Sequence, residues 1–385
     1  MRVALIAAAR HLPWIALLLA AGCSSDPVAP AGSGGGGSSG SGGSGGSAGT
    51  SGSAGAAGST WACDGAGPVD LGGSWAALLD LQLLLSSQTG GTATLCPEKQ
   101  TNRATIVMVL QNKQSAGSTS IEQVQPVFCT IELPALTAMV GQCDTSATNS
   151  LTVDLLLAPP LLAALPTIPV TSVAGSLSSL DPGAGFLAER FTLTGGTRKT
   201  GASMPAWQGT VAGCGASDAA PGRSAQCEEK CVDDCSALLD DDKDGRTATT
   251  FHLCGYSSDD LKSNVKCKPE SPSEAGVTIQ GPLMLAFQVD PLMQGKASSS
   301  CEVRGTVDAQ VLYHVVGGDM YLANTQIGVQ SAMKSLPLFT VDPQQSKFRM
   351  VRVDGAHGAP DWKLDPKADA VAACQIALQH RNELQ

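Results

Sequence analysis

Long stretches of this sequence alternate between apolar and polar residues, and this period of two constrains the fold more than any other feature. In the clearest stretch, residues 301–316, apolar side chains occupy odd positions and polar or charged side chains occupy most of the positions between them. Successive side chains of a β-strand point to opposite faces of a sheet. The pattern therefore predicts a strand with one buried and one solvated face, which is typical of antiparallel sheets.

Other segments extend this prediction to a whole domain. Apolar residues alternate in 75–85 and across 277–289, while 104–110 is apolar throughout and is expected to be a central strand. Gly317-Gly318 ends the longest alternation and predicts a hairpin turn, with a return strand over 321–329. The sequence thus predicts a mainly β fold, an antiparallel β-barrel or sandwich with few short helices.

Two helices are expected. Asp365-Pro366 supplies an N-cap residue followed by proline at the first helical position, which predicts a helix reaching Arg381. Val371, Cys374 and Leu378 would share the face that packs on the sheet. A second, short helix is expected over 226–239.

The cysteine content predicts a disulfide-rich domain. The chain has 13 cysteines, of which Cys23 lies in the N-terminal region considered below. An even number of remaining cysteines in an exported chain indicates disulfide bonds, whose connectivity cannot be read from the sequence. The candidates are Cys63, Cys96, Cys129, Cys143, Cys214, Cys227, Cys231, Cys235, Cys254, Cys267, Cys301 and Cys374.

The N-terminus has the organisation of an export signal. Arg2 and Arg10 are its only charges, and the apolar run 12–21 is shorter than the roughly 20 residues that span a bilayer as a helix. The next residues, Leu19-Ala20-Ala21-Gly22-Cys23, resemble the lipobox of bacterial lipoproteins, although that family usually has leucine where this chain has Ala20. The resemblance implies that 1–22 is a cleaved signal peptide and that Cys23 carries acyl chains, among them palmitate.

The same resemblance implies a location in the cell envelope. Ser24 and Ser25 follow the cysteine rather than the aspartate that affects sorting in many Gram-negative lipoproteins, so the outer membrane is favoured over the inner membrane. With a formal net charge of -10 and no basic cluster, the chain is not expected to bind nucleic acid. Its membrane attachment would be through the N-terminal lipid.

A tether is expected between the lipid and the folded part. Residues 31–60 contain only Gly, Ser, Ala and Thr, so nothing offsets the entropy of ordering them. Residues 23–60 are therefore predicted to be a lipidated cysteine and a disordered linker, and 61–385 a cysteine-rich β domain. Recurring Cys-to-Pro spacings also suggest two related halves, at about 61–200 and 275–385, with an acidic cysteine-rich insert at 214–270.

The insert contains the segment most suggestive of a ligand site. Asp240, Asp242 and Asp244 alternate, and Gly245 follows them. This spacing resembles the calcium loops of EF-hands, dockerins and thrombospondin type 3 repeats, where carboxylates around a glycine turn bind Ca²⁺. By that resemblance the carbonyl of Arg246 would be a further ligand, and the ion would be structural.

One position departs from the EF-hand pattern. Phe251 stands where an EF-hand has a bidentate glutamate, so Asp233 or Asp234 would have to complete the ligand set. A solvated acidic loop without metal is the alternative. Zinc bound by Cys227, Cys231 and Cys235, with His252 and Cys254 nearby, is disfavoured, because oxidising conditions favour disulfides.

Known catalytic motifs are incomplete. Ser331-Ala332-Met333-Lys334 and Lys199-Thr200-Gly201 spell two motifs of penicillin-binding enzymes, but in the reverse of that family's order. Gly73-Ser74-Trp75 resembles the G-x-W that opens lipocalins, which are barrels that carry apolar ligands. The expected function is a non-catalytic binding or structural module of the cell envelope; the alternatives are a lipocalin-like carrier and an enzyme of unrecognised type. A partner protein or an apolar ligand remains open.

Overall fold

The described part of the chain consists mainly of antiparallel β-strands. In a computed structural model, the described residues are 63, 67–86, 94–95, 103–139, 150–196, 209–210, 238–246, 248–256, 277–322, 325–327 and 338–385. They all belong to one unit, Ala57–Gln385. Several predictions fall outside them: the signal peptide, Cys23, the tether, both penicillin-binding motifs and most of the helix expected at 226–239.

The strands are β1 Gly73–Ser86, β2 Thr94–Leu95, β3 Arg103–Gln114, β4 Ser120–Glu132, β5 Leu136–Met139, β6 Ser150–Leu157, β7 Val173–Leu177, β8 Ala184–Ala188, β9 Leu193–Gly195, β10 Gly209–Thr210, β11 Thr249–Tyr256, β12 Val277–Ala297, β13 Glu302–Gly318, β14 Met320–Leu322, β15 Thr325–Ile327, β16 Leu338–Val341 and β17 Lys347–Arg352. The α-helices are α1 Pro159–Ala164 and α2 Ala370–Gln379, and 3₁₀ turns span Leu165–Thr167, Ala356–Gly358 and Arg381–Leu384.

Eight of the strands pair in a closed ring. The order is β1, β3, β4, β7, β8, β12, β13 and β17, and β17 pairs again with β1. All of these pairings are antiparallel, which confirms the predicted class and selects the barrel over the sandwich. An eight-stranded ring is just wide enough for its interior to be filled by side chains.

Apolar side chains fill that interior. The residues predicted to alternate toward the core on β1 and β13, such as Trp75, Leu79, Val303 and Val307, belong to one buried cluster with the inward side chains of β3, β4 and β12. The indole nitrogen of Trp75 donates a hydrogen bond to the carbonyl of Leu71, 2.9 Å away. Trp75, the third residue of β1, is fully buried in this core.

The outer face of the ring is covered on one side by α2. Outward residues of β1, β3 and β17, among them Ala76, Val107 and Val351, form a second buried cluster with Ala373 and Ala377 of the helix. In this wall both faces of the sheet are buried, so β1 is half-buried only toward its end, where Asp80 and Gln82 are partly exposed.

The predicted C-terminal helix is present, but its first residue and its buried face differ from the prediction. The helix begins at Ala370, because Asp369 is the residue whose carboxylate accepts the hydrogen bond from the Ala372 N–H. Val371 and Leu378 are 38% and 37% exposed, and the buried face is formed by smaller side chains. Alanine lets the helix axis approach the sheet closely, which the larger residues would prevent.

The expected return strand after Gly317-Gly318 was also wrong. Both glycines lie within β13, and the following strand β14 pairs with β12 and β15 rather than with β13. The segment just before β14 can approach β12 this closely only because residue 281 is glycine. A Cβ there would lie 2.0 Å from the carbonyl oxygen of Asp319. The hairpin partner of β13 is β12, its predecessor in the chain.

Disulfide bonds join parts of the chain that are distant in sequence. Cys63 bonds to Cys301 before β13, and Cys129 of β4 bonds to Cys374 of α2, which pins the helix to the sheet as expected. Cys254 is also disulfide-bonded. The other seven candidates, Cys96, Cys143, Cys214, Cys227, Cys231, Cys235 and Cys267, lie outside the described residues.

A smaller set of strands extends from the ring and carries the acidic segment. The first half of β12 pairs with β11, β11 with β6, β6 with β5, and β5 with β2. Strands from the two expected halves share one sheet, in which β1 pairs with β17 and β8 with β12. The acidic segment comes immediately before β11.

Candidate metal centre

The acidic loop, residues 240–246, is held against the start of β11. A β-bridge joins Asp240 to Ala248, and the N–H of Asp241 donates to the carbonyl of Ala248. The turn itself depends on left-handed backbone at Lys243 (φ 57°) and Gly245 (φ 87°). Glycine adopts that conformation without cost, which explains its place in the pattern.

The three predicted ligands converge in this loop. One carboxylate oxygen from each of Asp240, Asp242 and Asp244 lies within 4.8 Å of the others. Backbone N–H groups of Asp244 and Gly245 donate to Asp240, and that of Arg246 donates to Asp244. The alternation of residues therefore brings the carboxylates together, as the sequence predicted.

Asp242 is the most unusual of the three. It is only 5% exposed, and its Oδ2 accepts a hydrogen bond of 2.7 Å from the Thr250 N–H. Its Oδ1 is buried and has no hydrogen-bond partner among the described residues. A buried polar oxygen without a partner costs about 1–3 kcal/mol, and more when it is charged.

Electrostatics make the same position unfavourable for an anion. Burial raises the pKa of Asp242 to about 7, and the nearby carboxylates of Asp244 and Asp240 act in the same direction against the hydrogen bond from Thr250. A bound cation would reverse these effects by compensating the crowded negative charge.

Two residues that the sequence did not single out fix the loop to the domain. The Thr250 hydroxyl donates to Asp244 Oδ2 at 2.6 Å, in addition to its N–H bond to Asp242. Asp241 Oδ2 accepts a hydrogen bond of 2.6 Å from the Gly196 N–H, just after β9. The Gly196 contact spans 45 positions, so no local pattern could have indicated it.

Phe251 and Cys254, which the sequence places near the loop, are not ligands in this structure. Phe251 points into the barrel core and is 5% exposed, so it does not replace the glutamate of an EF-hand. Asp233 and Asp234, and the cysteines of the zinc alternative, lie outside the described residues. Cys254 is in a disulfide and therefore offers no thiolate to zinc.

A cleft and a small cavity lie among other described residues. A cleft of about 270 Å³ is lined by Asp70, Gln114, Ser300 and His357, with His357 Nε2 lying 3.4 Å from Asp70 Oδ2. An apolar cavity of about 60 Å³ lies among side chains that include Leu155, Phe251 and Tyr313. Small-molecule pockets usually measure about 300–1,000 Å³, so this cavity is far smaller than a typical carrier site.

Within the described residues, none of the helices has both the length and the apolar character that crossing a membrane requires. Comparison of the chain with protein-family models, with curated proteins and with solved structures gave no match.

Proposed function

We propose that this protein is a lipid-anchored envelope protein whose acidic loop binds Ca²⁺ as a structural ion. One observation carries the calcium proposal: a buried carboxylate oxygen of Asp242, without a partner among the described residues, lies in a cluster of three converging aspartates. A divalent cation would supply the missing partner and offset the repulsion within the cluster.

The donor set favours calcium among biological cations. All three side chains offer carboxylate oxygens, which are hard ligands suited to Ca²⁺ and Mg²⁺ rather than to softer metals. Ca²⁺ accepts six to eight oxygens in irregular geometry, so backbone carbonyls and water can complete a site with three aspartates. The carbonyl of Arg246 is one such candidate by resemblance to known calcium loops.

The bonds around the loop support a bracing role. Asp242 and Asp244 hold Thr250 at the start of β11, while Asp241 holds Gly196 just after β9. A cation that orders the three aspartates would therefore strengthen contacts between the loop and two strands. This role requires no catalytic step.

The anchoring proposal is supported by the sequence and by the disulfides. Residues 19–23 resemble a lipobox, and the Gly/Ser/Ala segment that follows has the composition of a flexible tether. Disulfide bonds such as Cys63–Cys301 and Cys129–Cys374 persist in oxidising compartments, which is consistent with export. We propose the outer membrane and acylation of Cys23.

Thermal unfolding tests the calcium proposal. The full chain should melt at a higher temperature in CaCl₂ than in EGTA, and Asp242→Asn should remove most of that difference. Asp80→Asn is the matched control, because Asp80 is a partly exposed aspartate paired with Arg103. An identical melting temperature in CaCl₂ and EGTA would refute calcium binding.

Mass spectrometry of the N-terminus tests the anchor. A mature chain that begins at Cys23 and carries added acyl mass is expected. A chain that keeps residues 1–22, or begins at an unmodified residue, would contradict the proposal.

A further inference from the structure

Exposed apolar side chains occur on segments that adjoin the acidic loop or its strand β11. Leu156 at the end of β6 is 48% exposed, and Leu162 of α1 is 41% exposed. Pro159 and Pro160 are exposed between them, and Leu239, next to the loop, is 39% exposed. We call these five residues the apolar rim.

The rim has a rigid base. Leu161 of α1 is fully buried in the main core, as is Leu165 of the following turn. These inward side chains fix the segment, so its outward side chains are presented to solvent at a defined place. The exposed leucines therefore do not belong to a loose loop.

Leu156 and Thr250, the residue that holds the acidic loop, lie on the same face of the sheet. Leu156 lies opposite His252 in the β6–β11 pairing, and Thr250 is two residues from His252 on the same strand. Side chains two residues apart share a face at a spacing of about 7 Å. The Thr250 side chain reaches Asp244, and its carbonyl accepts a hydrogen bond from the Ala158 N–H at 3.2 Å.

Charges are distributed unevenly around this surface. Residues 155–180 contain no charged side chain, whereas the loop 240–246 has four aspartates against Lys243 and Arg246. One divalent cation would neutralise the two excess negative charges of the loop. Lys243 is exposed at its tip.

We propose that the cation-loaded loop and the apolar rim together form a contact surface for a phospholipid bilayer with anionic headgroups. This inference rests on the calcium proposal above. Headgroup phosphate oxygens would join the coordination shell of the ion, and Leu156 and Leu162 would enter the boundary between headgroups and acyl chains. Without the cation, the loop repels the same headgroups.

The proposed anchor favours lipid as the occupant of this surface. If Cys23 is acylated, residues 23–60 join the domain covalently to a bilayer, which raises the effective concentration of lipid at its surface. The chain has a formal net charge of -10 and no basic cluster, so it lacks the usual attraction to anionic lipid. A bound divalent cation beside uncharged apolar residues would attract anionic lipid in place of a basic cluster.

Vesicle flotation tests this inference with the full chain carrying Cys23→Ser. Binding to vesicles of phosphatidylglycerol and phosphatidylcholine (1:3) is compared in CaCl₂ and in EGTA, and only the calcium-dependent part is scored. The double variant Leu156→Glu/Leu162→Glu should weaken that part by about tenfold or more, because two leucines no longer leave water. Leu187→Glu, at a leucine on β8 that is 37% exposed, should leave it unchanged.

Parallel calorimetric titration with CaCl₂ separates the two proposals. Calcium binding without calcium-dependent vesicle binding would overturn the lipid surface and leave the calcium site intact. Equal binding to pure phosphatidylcholine, or unchanged binding by the double glutamate variant, would also overturn it. Absence of calcium binding would overturn both. If the double variant unfolds, Leu162→Ser alone replaces it, and the same outcomes apply.

Discussion

The wall of the barrel beneath α2 and the wall around the acidic loop use their outer faces in opposite ways. Under α2, outward side chains such as Ala76 and Val351 are apolar and are covered by a helix that a disulfide holds in place. Around the loop, the outer face carries carboxylates, one of them buried without a full set of partners, and exposed leucines.

We expect this difference to separate residues that contribute to stability from those that would bind the proposed cation. The α2 wall buries apolar surface on both sides of the sheet, which stabilises the fold whatever the solvent contains. The loop wall desolvates negative charge, which is unfavourable unless a ligand compensates it. We therefore expect changes in the first wall to alter stability alone, and changes in the second to alter the response to cations and pH.

The largest effect is expected from the disulfide that pins α2. Replacing both Cys129 and Cys374 by alanine opens a cross-link over 245 residues and should lower the free energy of unfolding by about 4–5 kcal/mol. Urea denaturation measures this loss. Calcium affinity should not change; a parallel loss of affinity would mean that the two walls are coupled.

A smaller loss is expected at Arg349, which ties the C-terminus to the ring. Its guanidinium donates to Glu302 Oε1 and to the carbonyls of Glu383 and Gln385. Arg349→Gln should cost about 2–3 kcal/mol, because a largely buried charge pair loses one partner. Urea denaturation tests this as well, and a change below that of an exposed ion pair would contradict it.

The pH dependence of the metal-free protein tests the loop wall. The pKa of Asp242 is raised from 3.8 to about 7, so the folded state holds this proton more tightly than the unfolded state does. Stability without calcium should therefore fall as pH rises from about 4 to about 7. Saturating calcium should remove that fall, because the cation then compensates the ionised carboxylate.

Asp242→Asn provides the check on this pH prediction. Melting temperatures of the metal-free variant should lack the component of pH dependence that the parent shows between pH 4 and pH 7. A parent and variant with parallel curves would show that another group is responsible.

The smallest effect is expected at Arg381. It pairs with Glu132 across the edge of the α2 wall, and its hydrogen bonds hold the pKa of Glu132 below its ordinary value. Arg381→Gln should lower the free energy of unfolding by only about 0.5 kcal/mol, since partly exposed ion pairs contribute little. Chemical denaturation in low and high salt measures it, and a loss above 2 kcal/mol would contradict the description of this pair.

Much of the fold could be predicted because it depends on local alternation. The inward residues of β1 and β13 follow directly from a period of two, and 104–110 forms a central strand as expected. The convergence of Asp240, Asp242 and Asp244 also follows from spacing around one glycine. Each of these features depends on residues close together in the chain.

The failures occurred where distant residues compete. Asp365-Pro366 is a good local start for a helix, but Asp369 caps α2 instead. Gly317-Gly318 favours a turn locally, but β13 continues through both glycines. The next strand, β14, then passes close to Gly281 and pairs with β12. The local preference of a residue for a helix, strand or turn contributes about 1 kcal/mol to stability, and the packing of many residues contributes more.

The mainly β class, the alternation of core positions and the acidic loop can be predicted from the chain alone, because strand periodicity and turn chemistry depend on neighbouring residues. The closure of the strands into a ring, the Cys129–Cys374 bond, and the bonds from Thr250 and Gly196 to the loop become evident only in the folded molecule. The physical reason is that closure, disulfide pairing and burial of Asp242 depend on which distant surfaces pack together. Those contacts leave no trace in any short stretch of the chain.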